Sequence, residues 1–385
     1  MKKALLLIFF AGISLSSLIA QDSNKQLLDK LVEKEILSQD EADELLDSSS
    51  ETKQESKIEQ NDEGNVHNIF KNIPFVNIGG YGMLMHNYNN TAKTKHDTQI
   101  RVMFLAIRGN ITNELSYFVL TELANPLLYE FYADWKPRKE FNIRAGQAKT
   151  PIGMENQLSL TILETVFNTR SISSLMGMGG DVLQLQNGRN NTGRDIGVQA
   201  YGSFIEVSDH DLMEYGVGIY QGSGVMSNDK NNSKDFAGSL LFQPIKGFRI
   251  GGSTYLGEAT YLKPGDLNEA KHTRNRWIAS SDFRSGPLYA RAEWIYAKDS
   301  NIEKEGLTGL LQYYFVPDKF NVIGKVDYLN HDKKNNNEVI DYLVGVDYYF
   351  YNRCRVQLNY QYSDYSASWA EKDSHRVIGQ LQIVF

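Results

Sequence analysis

The sequence predicts an all-β transmembrane fold: a sixteen-stranded antiparallel barrel of the outer-membrane kind, preceded by a short helical segment. Three observations predict it. From Pro74 onward, short segments of alternating apolar and polar residues recur, each bounded by turn residues. The connections between them sort by parity, one set short and the other mostly long and polar. No stretch after the N-terminus approaches the ~20 consecutive apolar residues of a membrane helix, whereas a barrel needs only alternate residues of each strand to face lipid. A mean hydropathy of −0.41 therefore does not separate this chain from a soluble one.

Residues 1–20 read as a secretory signal. Lys2 and Lys3 give the positive start, Ala4 to Ile13 the apolar centre, and a cut after Ala20 is expected. Residues 21–47 form a helical segment, expected in the periplasm. Leu27, Leu28, Leu31 and Val32 share one helical face, and Ser38 with Glu41 forms a capping box. Residues 48–73 are a polar linker with the composition of a chain that does not pack. Residues 74–385 are the barrel. Charge follows the same division. Residues 21–65 hold 14 Asp and Glu against 5 Lys and Arg, and residues 66–385 hold 33 of each, so no basic nucleic-acid surface is expected. One cysteine, Cys354, allows no internal disulfide.

The expected strands are 75–85, 99–110, 114–123, 127–135, 140–148, 194–205, 212–221, 235–243, 247–257, 273–283, 287–297, 306–316, 319–330, 338–350, 353–363 and 374–385. Turns such as Ile111–Asn113, Ser285–Gly286, Pro317–Asp318 and Tyr351–Asn352 alternate with connections such as His86–Thr98, Lys149–Gly193, Ser223–Lys234, Glu258–His272 and Lys298–Glu305. Short periplasmic turns and long external loops give this pattern, and a soluble sandwich has no reason to. Within strands the faces separate. Val377, Leu381, Ile383 and Phe385 oppose Arg376, Gln380 and Gln382, and Phe320, Val322, Val326 and Tyr328 oppose Lys325 and Asp327. Strand 99–110 does not sort, because Arg101 and Arg108 fall on opposite faces. The last strand ends on Phe385, the kind of terminal residue expected to be read by the outer-membrane assembly machinery.

Sixteen strands enclose more space than side chains fill, so an aqueous lumen is expected. Strand parity points Arg249, Arg274, Arg276, Arg291, Lys325 and Arg376 into it, against Asp282, Glu293 and Asp327. The third long connection, 149–193, carries a stretch from Met154 to Met178 too apolar for a loop in water. A long loop inside a compact fold is usually functional, and this one is expected to fold inward as a pore-constricting loop. Its bases are Lys149, Arg170 and Arg189, and its acids Glu155, Glu164 and Asp181. Neither a His-x-x-x-His nor a cysteine cluster offers metal spacing, no nucleophile and base stand together, and no cofactor is implied.

Three groups of residues carry a family resemblance. They are Leu27 to Leu45, Gly146-Gln147-Ala148-Lys149-Thr150-Pro151-Ile152-Gly153-Met154-Glu155, and Gly193-Arg194-Asp195-Ile196-Gly197-Val198-Gln199. With Glu214 to Tyr220 and Phe242 to Gly247, they make the chain resemble the phosphate-selective porin O and P family over nearly all of its mature length. The resemblance implies a trimeric outer-membrane porin whose third external loop, with Pro151, Gly153 and Glu155, constricts the pore. It also implies small anions, phosphate among them, as permeants held by basic residues. Lys149 and Arg194 match the family's basic positions, and Arg170 and Arg291 complete the first anion-binding candidates. Two other functions remain open. One is a sugar or small-acid channel using aromatic stacking, although Trp135, Trp277 and Trp294 look lipid-directed. The other is a non-transport barrel serving as adhesin or scaffold.

Overall fold

Alternation with a period of two gives a strand one wet and one dry face, and sixteen such strands satisfy every edge only by closing. The computed structural model describes residues 75–207, 209–263 and 266–385. The expected signal, helical segment and linker lie outside the described residues. The strands are β1 (Phe75–Asn89), β2 (His96–Asn110), β3 (Leu115–Glu122), β4 (Leu127–Arg138), β5 (Phe141–Lys149), β6 (Arg194–Val207), β7 (His210–Tyr220) and β8 (Asp235–Ile245). They continue with β9 (Phe248–Tyr261), β10 (Ala270–Ser285), β11 (Leu288–Asp299), β12 (Ile302–Val316), β13 (Phe320–Asn330), β14 (Glu338–Tyr351), β15 (Cys354–Tyr365) and β16 (Ser374–Val384). Their order around the closed barrel is their order in the chain. The ring shuts where β1 pairs with β16, from Tyr81 opposite Val384 to Asn89 opposite Arg376. Phe385 and Gly80 exchange backbone hydrogen bonds of 3.0 and 2.8 Å at the foot of that seam.

The faces are inverted relative to a soluble protein. On β15, Val356, Leu358 and Tyr360 are exposed, while Arg355, Gln357 and Asn359 are buried in the lumen. The same holds on β13 for Val322 and Val326 against Asn321, Lys325 and Asp327. Trp135 and Trp294 lie on the outer face at opposite ends of the barrel, their indole N–H groups donating to Glu114 and Glu305. An apolar ring with a polar tip suits a membrane interface.

Each expected strand is present, and half of them run further at the long-loop end than expected. β11 continues to Asp299 and β12 begins at Ile302, so the expected long connection Lys298–Glu305 shrinks to the turn at Ser300 and Asn301. The reason is physical. Lipid contact imposes alternation only across the bilayer, whereas backbone pairing continues into water with polar residues on both faces.

The conflict in β2 is resolved by a β-bulge. Met83 faces Val102 and Leu84 faces Ile100, so Arg101 is the extra residue. An inserted residue shifts the side-chain phase by one. Arg101 therefore points inward along with Phe104 and Arg108, and Ile100 stays on the lipid side.

Candidate channel constriction

The connection from β5 to β6 leaves the wall at Lys149, opposite Arg194, and Thr150 N–H bonds to Gly193 O at 3.0 Å to close its base. It then crosses the lumen to β13, half a turn of the sixteen-stranded ring away. Within it are a 3₁₀ turn at Glu155–Gln157 and the helices α1 (Arg170–Leu175) and α2 (Leu183–Asn187).

The crossing begins with a sharp turn. Gly153 has φ +64°, and a Cβ there would lie 2.7 Å from Met176, so both conformation and space call for glycine. The turn aims the Met154 and Glu155 amides at the Glu293 carboxylate, each at 2.7 Å, while Gly153 N–H donates to Ser253 Oγ at 3.0 Å. Two residues along β11, Arg291 bridges Glu155 at 2.9 Å and Glu164 at 2.9 Å, and all three side chains are buried. Burial alone would raise the Glu155 carboxyl. Arg291, Lys325 and the Thr169 donors outweigh it and hold Glu155 below the ordinary carboxylate range.

The far wall supplies the next contacts. Arg355 donates to Leu163 O at 2.7 Å, Lys325 Nζ to Thr165 Oγ1 at 2.8 Å, and Val166 N–H to Asn359 Oδ1 at 2.8 Å. At the start of α1, Ser171 donates its N–H and its hydroxyl to Asp327, at 3.0 and 2.5 Å. Arg170 makes a two-pronged pair with Asp341 at 2.7 and 3.0 Å. At the end of α1, Arg276 Nε donates to Leu175 O at 2.5 Å. Carboxylate at the amino end and guanidinium at the carboxyl end each satisfy helix-end groups that otherwise lack partners.

Asp181 fastens the return. It takes both prongs of Arg274 at 2.8 and 2.9 Å, and the N–H groups of Gly177 and Leu183, each at 2.9 Å. Burial opposes its ionised form, but Arg274 and Arg276 outweigh that and keep Asp181 well below the usual carboxylate range.

The apolar residues that mark this loop in the sequence have a partner surface. Ile152, Ile172, Leu175, Met176 and Met178 pack on Tyr220, Ala237, Tyr255, Ile278, Ile295, Ala297, Leu329 and Val339. A band of inward-facing apolar residues lines β7 to β14, because the loop covers it and keeps water off. Burying each large side chain contributes about 1.5–3 kcal/mol, without which a helix as short as α1 would not hold in water.

The candidate cations divide into two groups. Arg170, Arg194, Arg249, Arg274, Arg276 and Arg291 are each paired with a carboxylate: Asp341, Glu130, Asp282, Asp181, Asp181 with Asp299, and Glu155 with Glu164. These arginines fasten the loop or wall, and their charge is locally neutralised. Lys149 is turned onto the carbonyls of Asn156 and Leu158, at 2.8 and 2.5 Å. Lys325 and Arg376 are not within ion-pair distance of a carboxylate among the described residues, nor is Arg101. Arg101 and Arg376 flank the Phe167 ring, their guanidinium carbons 4.8 and 4.4 Å from its centroid. Arg101 also donates to Gln380 at 2.9 Å and Arg376 to Asn87 at 2.6 Å.

Water-sized space remains on several sides of the loop. A cavity of about 210 Å³ toward the long-loop end is lined by Phe167, Arg170, Lys325, Asp327, Asp341 and Arg376. One of about 220 Å³ at the short-turn end is lined by Thr161, Glu164, Arg284, Tyr314, Tyr349 and Arg353. A third, about 330 Å³, lies between the 3₁₀ turn and the wall at Arg144, Tyr201, Glu214 and Arg249. Sequence reading missed Arg101, Glu130, Asp341 and Arg355. For Asp341 and Arg355, alternation with Tyr342 and Val356 is a signal that would have found them. For Arg101, the bulge hides the signal.

Comparisons with solved structures find the same architecture at low identity. The outer membrane channel DcaP of Acinetobacter baumannii superposes with a TM-score of 0.58 at 11% identity, covering 80% of this chain and 97% of that one. The trimer form of OmpT, an outer membrane protein of Vibrio cholerae, gives 0.55 at 11% identity over 81% and 99%. Salmonella typhi OmpF, solved in complex with daunomycin, gives 0.55 at 14% identity over 80% and 97%. No curated protein sequence matches significantly. The sequence pattern of phosphate-selective porin O and P matches residues 78–385. Since that match begins in the first strand of the closed barrel and runs to its last residue, the chain belongs to the phosphate-selective porin O and P family and is an outer-membrane porin.

Proposed function

We propose that this porin is a passive diffusion channel for small hydrophilic solutes with a preference for anions, inorganic phosphate among them. One observation carries the reading. After the loop has neutralised most of the lumenal arginines, Arg101, Arg376 and Lys325 remain without a carboxylate partner. Arg101 and Arg376 both stand against the Phe167 ring, and Arg376 and Lys325 line the cavity beside it. Fixed donors of this kind replace part of an anion's hydration shell and repel cations, while Asp341 and Asp327 in the same cavity are engaged by Arg170 and Ser171. In this reading the short turns and the N-terminal segment 21–47 are periplasmic and the long loops external. Three copies assemble, as in the trimer form of the Vibrio cholerae neighbour. Phe385, exposed at the β1–β16 seam, offers its ring to the assembly machinery.

The test is the reversal potential of the refolded porin in a planar bilayer under a KCl gradient. An anion-favouring potential that moves toward cation selectivity in Arg376→Glu and in Arg101→Glu, with block by added phosphate, is the expected result. A potential that neither change moves would reject these two side chains as the selectivity element. No conductance from a heat-modifiable, folded barrel would reject the channel reading itself.

A further inference from the structure

The outer surface holds a pair of histidines that the channel does not use. His86, near the end of β1, and His96, at the start of β2, are ten residues apart in the chain and are brought together by the first hairpin. In the register, His86 faces Thr98 and Tyr88 faces His96, so all four side chains lie on one face, outside the barrel. Both histidines are exposed. His86 Nε2 and His96 Nδ1 stand 3.5 Å apart.

That separation discriminates between two explanations. It is too long for a good hydrogen bond between ring nitrogens, which would fall near 2.7–3.2 Å. It is close to the roughly 3.3–3.4 Å edge between two nitrogens bound at 2.0–2.1 Å to one tetrahedral metal ion. The other nitrogen of His86, Nδ1, is 2.7 Å from Thr98 Oγ1. That contact orients the ring, and in the tautomer whose Nδ1–H donates to Thr98 it leaves the Nε2 lone pair directed toward His96, in the manner of second-shell partners at metal sites. The His96 ring is held between Tyr88, at a centroid distance of 5.0 Å, and His86, at 5.6 Å. Two imidazoles suit borderline divalent ions, Cu²⁺, Ni²⁺ and Zn²⁺, rather than Mg²⁺ or Ca²⁺.

We infer that His86 and His96 form a two-histidine surface site for a borderline divalent metal ion, with solvent completing the coordination. It is independent of ion passage, because it lies on the opposite side of the β1–β2 wall from Arg101. The bound ion would staple β1 to β2 beside the seam that closes the barrel. Among the described residues no third His, Cys, Asp or Glu joins the pair, so binding should be weaker than at a three- or four-ligand site.

The experiment is titration of the mature, detergent-folded porin with CuCl₂, read by electron paramagnetic resonance. Expected is one copper equivalent per chain with coupling to two imidazole nitrogens. His86→Asn or His96→Asn should weaken binding at least tenfold and leave one nitrogen. His375→Asn, on an exposed histidine of the neighbouring β16 whose ring stacks on Tyr360 and Tyr362 instead, should change neither. Heat-modifiability on gels confirms that each variant is folded, and the asparagines keep polar side chains in place. Copper binding of equal affinity and nitrogen count in the folded double variant would overturn the proposal. So would a wild-type protein that binds copper no better than that variant, which would leave the pair as part of the aromatic rim only.

Discussion

Arg291 is the residue on which the docked loop depends most sharply. Its guanidinium bridges Glu155 and Glu164 of the loop at 2.9 Å each, and its side chain is only 2% exposed. Arg291→Met keeps much of the volume and removes the charge. Glu155 would retain Thr169 at 2.6 and 2.7 Å, but Glu164 would have no side-chain donor among the described residues. Removing one member of a buried ion pair costs roughly 3–5 kcal/mol, because the other charge is left uncompensated. At about 1.4 kcal/mol per tenfold, the docking equilibrium of the loop falls by roughly two to three and a half powers of ten. Single-channel recording should then show a larger mean conductance with flicker between levels, where the parent channel holds one level. Adding Glu155→Gln and Glu164→Gln removes the stranded charges, so the triple variant should return toward the parent trace. If Arg291→Met conducts with the same amplitude and noise as the parent, or the triple variant is no quieter than the single, this account of the loop's attachment is wrong.

Three further outcomes follow from the same geometry. Gly153→Ala forces a Cβ to within 2.7 Å of Met176 at a φ of +64°, and a cost of about 1–3 kcal/mol should appear as faster proteolytic nicking of residues 150–193. Val326→Arg puts a charge on the lipid face of β13, where it costs roughly 2–4 kcal/mol at mid-bilayer. It should lower the urea midpoint for refolding into lipid vesicles, whereas Val326→Leu should leave that midpoint unchanged. Deleting Arg101 removes the bulge and keeps both halves of β2 on their proper faces, but deleting Ile107 turns half the strand inside out. Heat-modifiable barrel should form in the first case and not in the second, as read by gel mobility.

Strand number, strand faces and the short and long ends of the barrel were legible in the sequence because each depends on residues within a few positions of one another. A lipid-facing Val326 between Lys325 and Asp327 needs no distant information. The inward fold of 149–193 was legible for a similar reason, since Leu163, Val166, Ile172 and Leu175 could not remain in water.

What only the tertiary structure decided is which charges survive. Arg274 and Asp181 are 93 residues apart, Arg291 and Glu155 136, and Arg170 and Asp341 171. Whether such groups neutralise each other depends on a loop from β5 arriving within 3 Å of a wall built half a ring away. The bulge at Arg101 belongs to the same category, since the sequence shows only that Arg101 and Arg108 conflict in parity, and the register against Met83 and Leu84 locates the extra residue. Local periodicity determined that this chain is a barrel with a loop inside it. Long-range electrostatic pairing, which acts only once the ring has closed, decided which cations, Arg101, Lys325 and Arg376 among them, are left facing the lumen without a carboxylate.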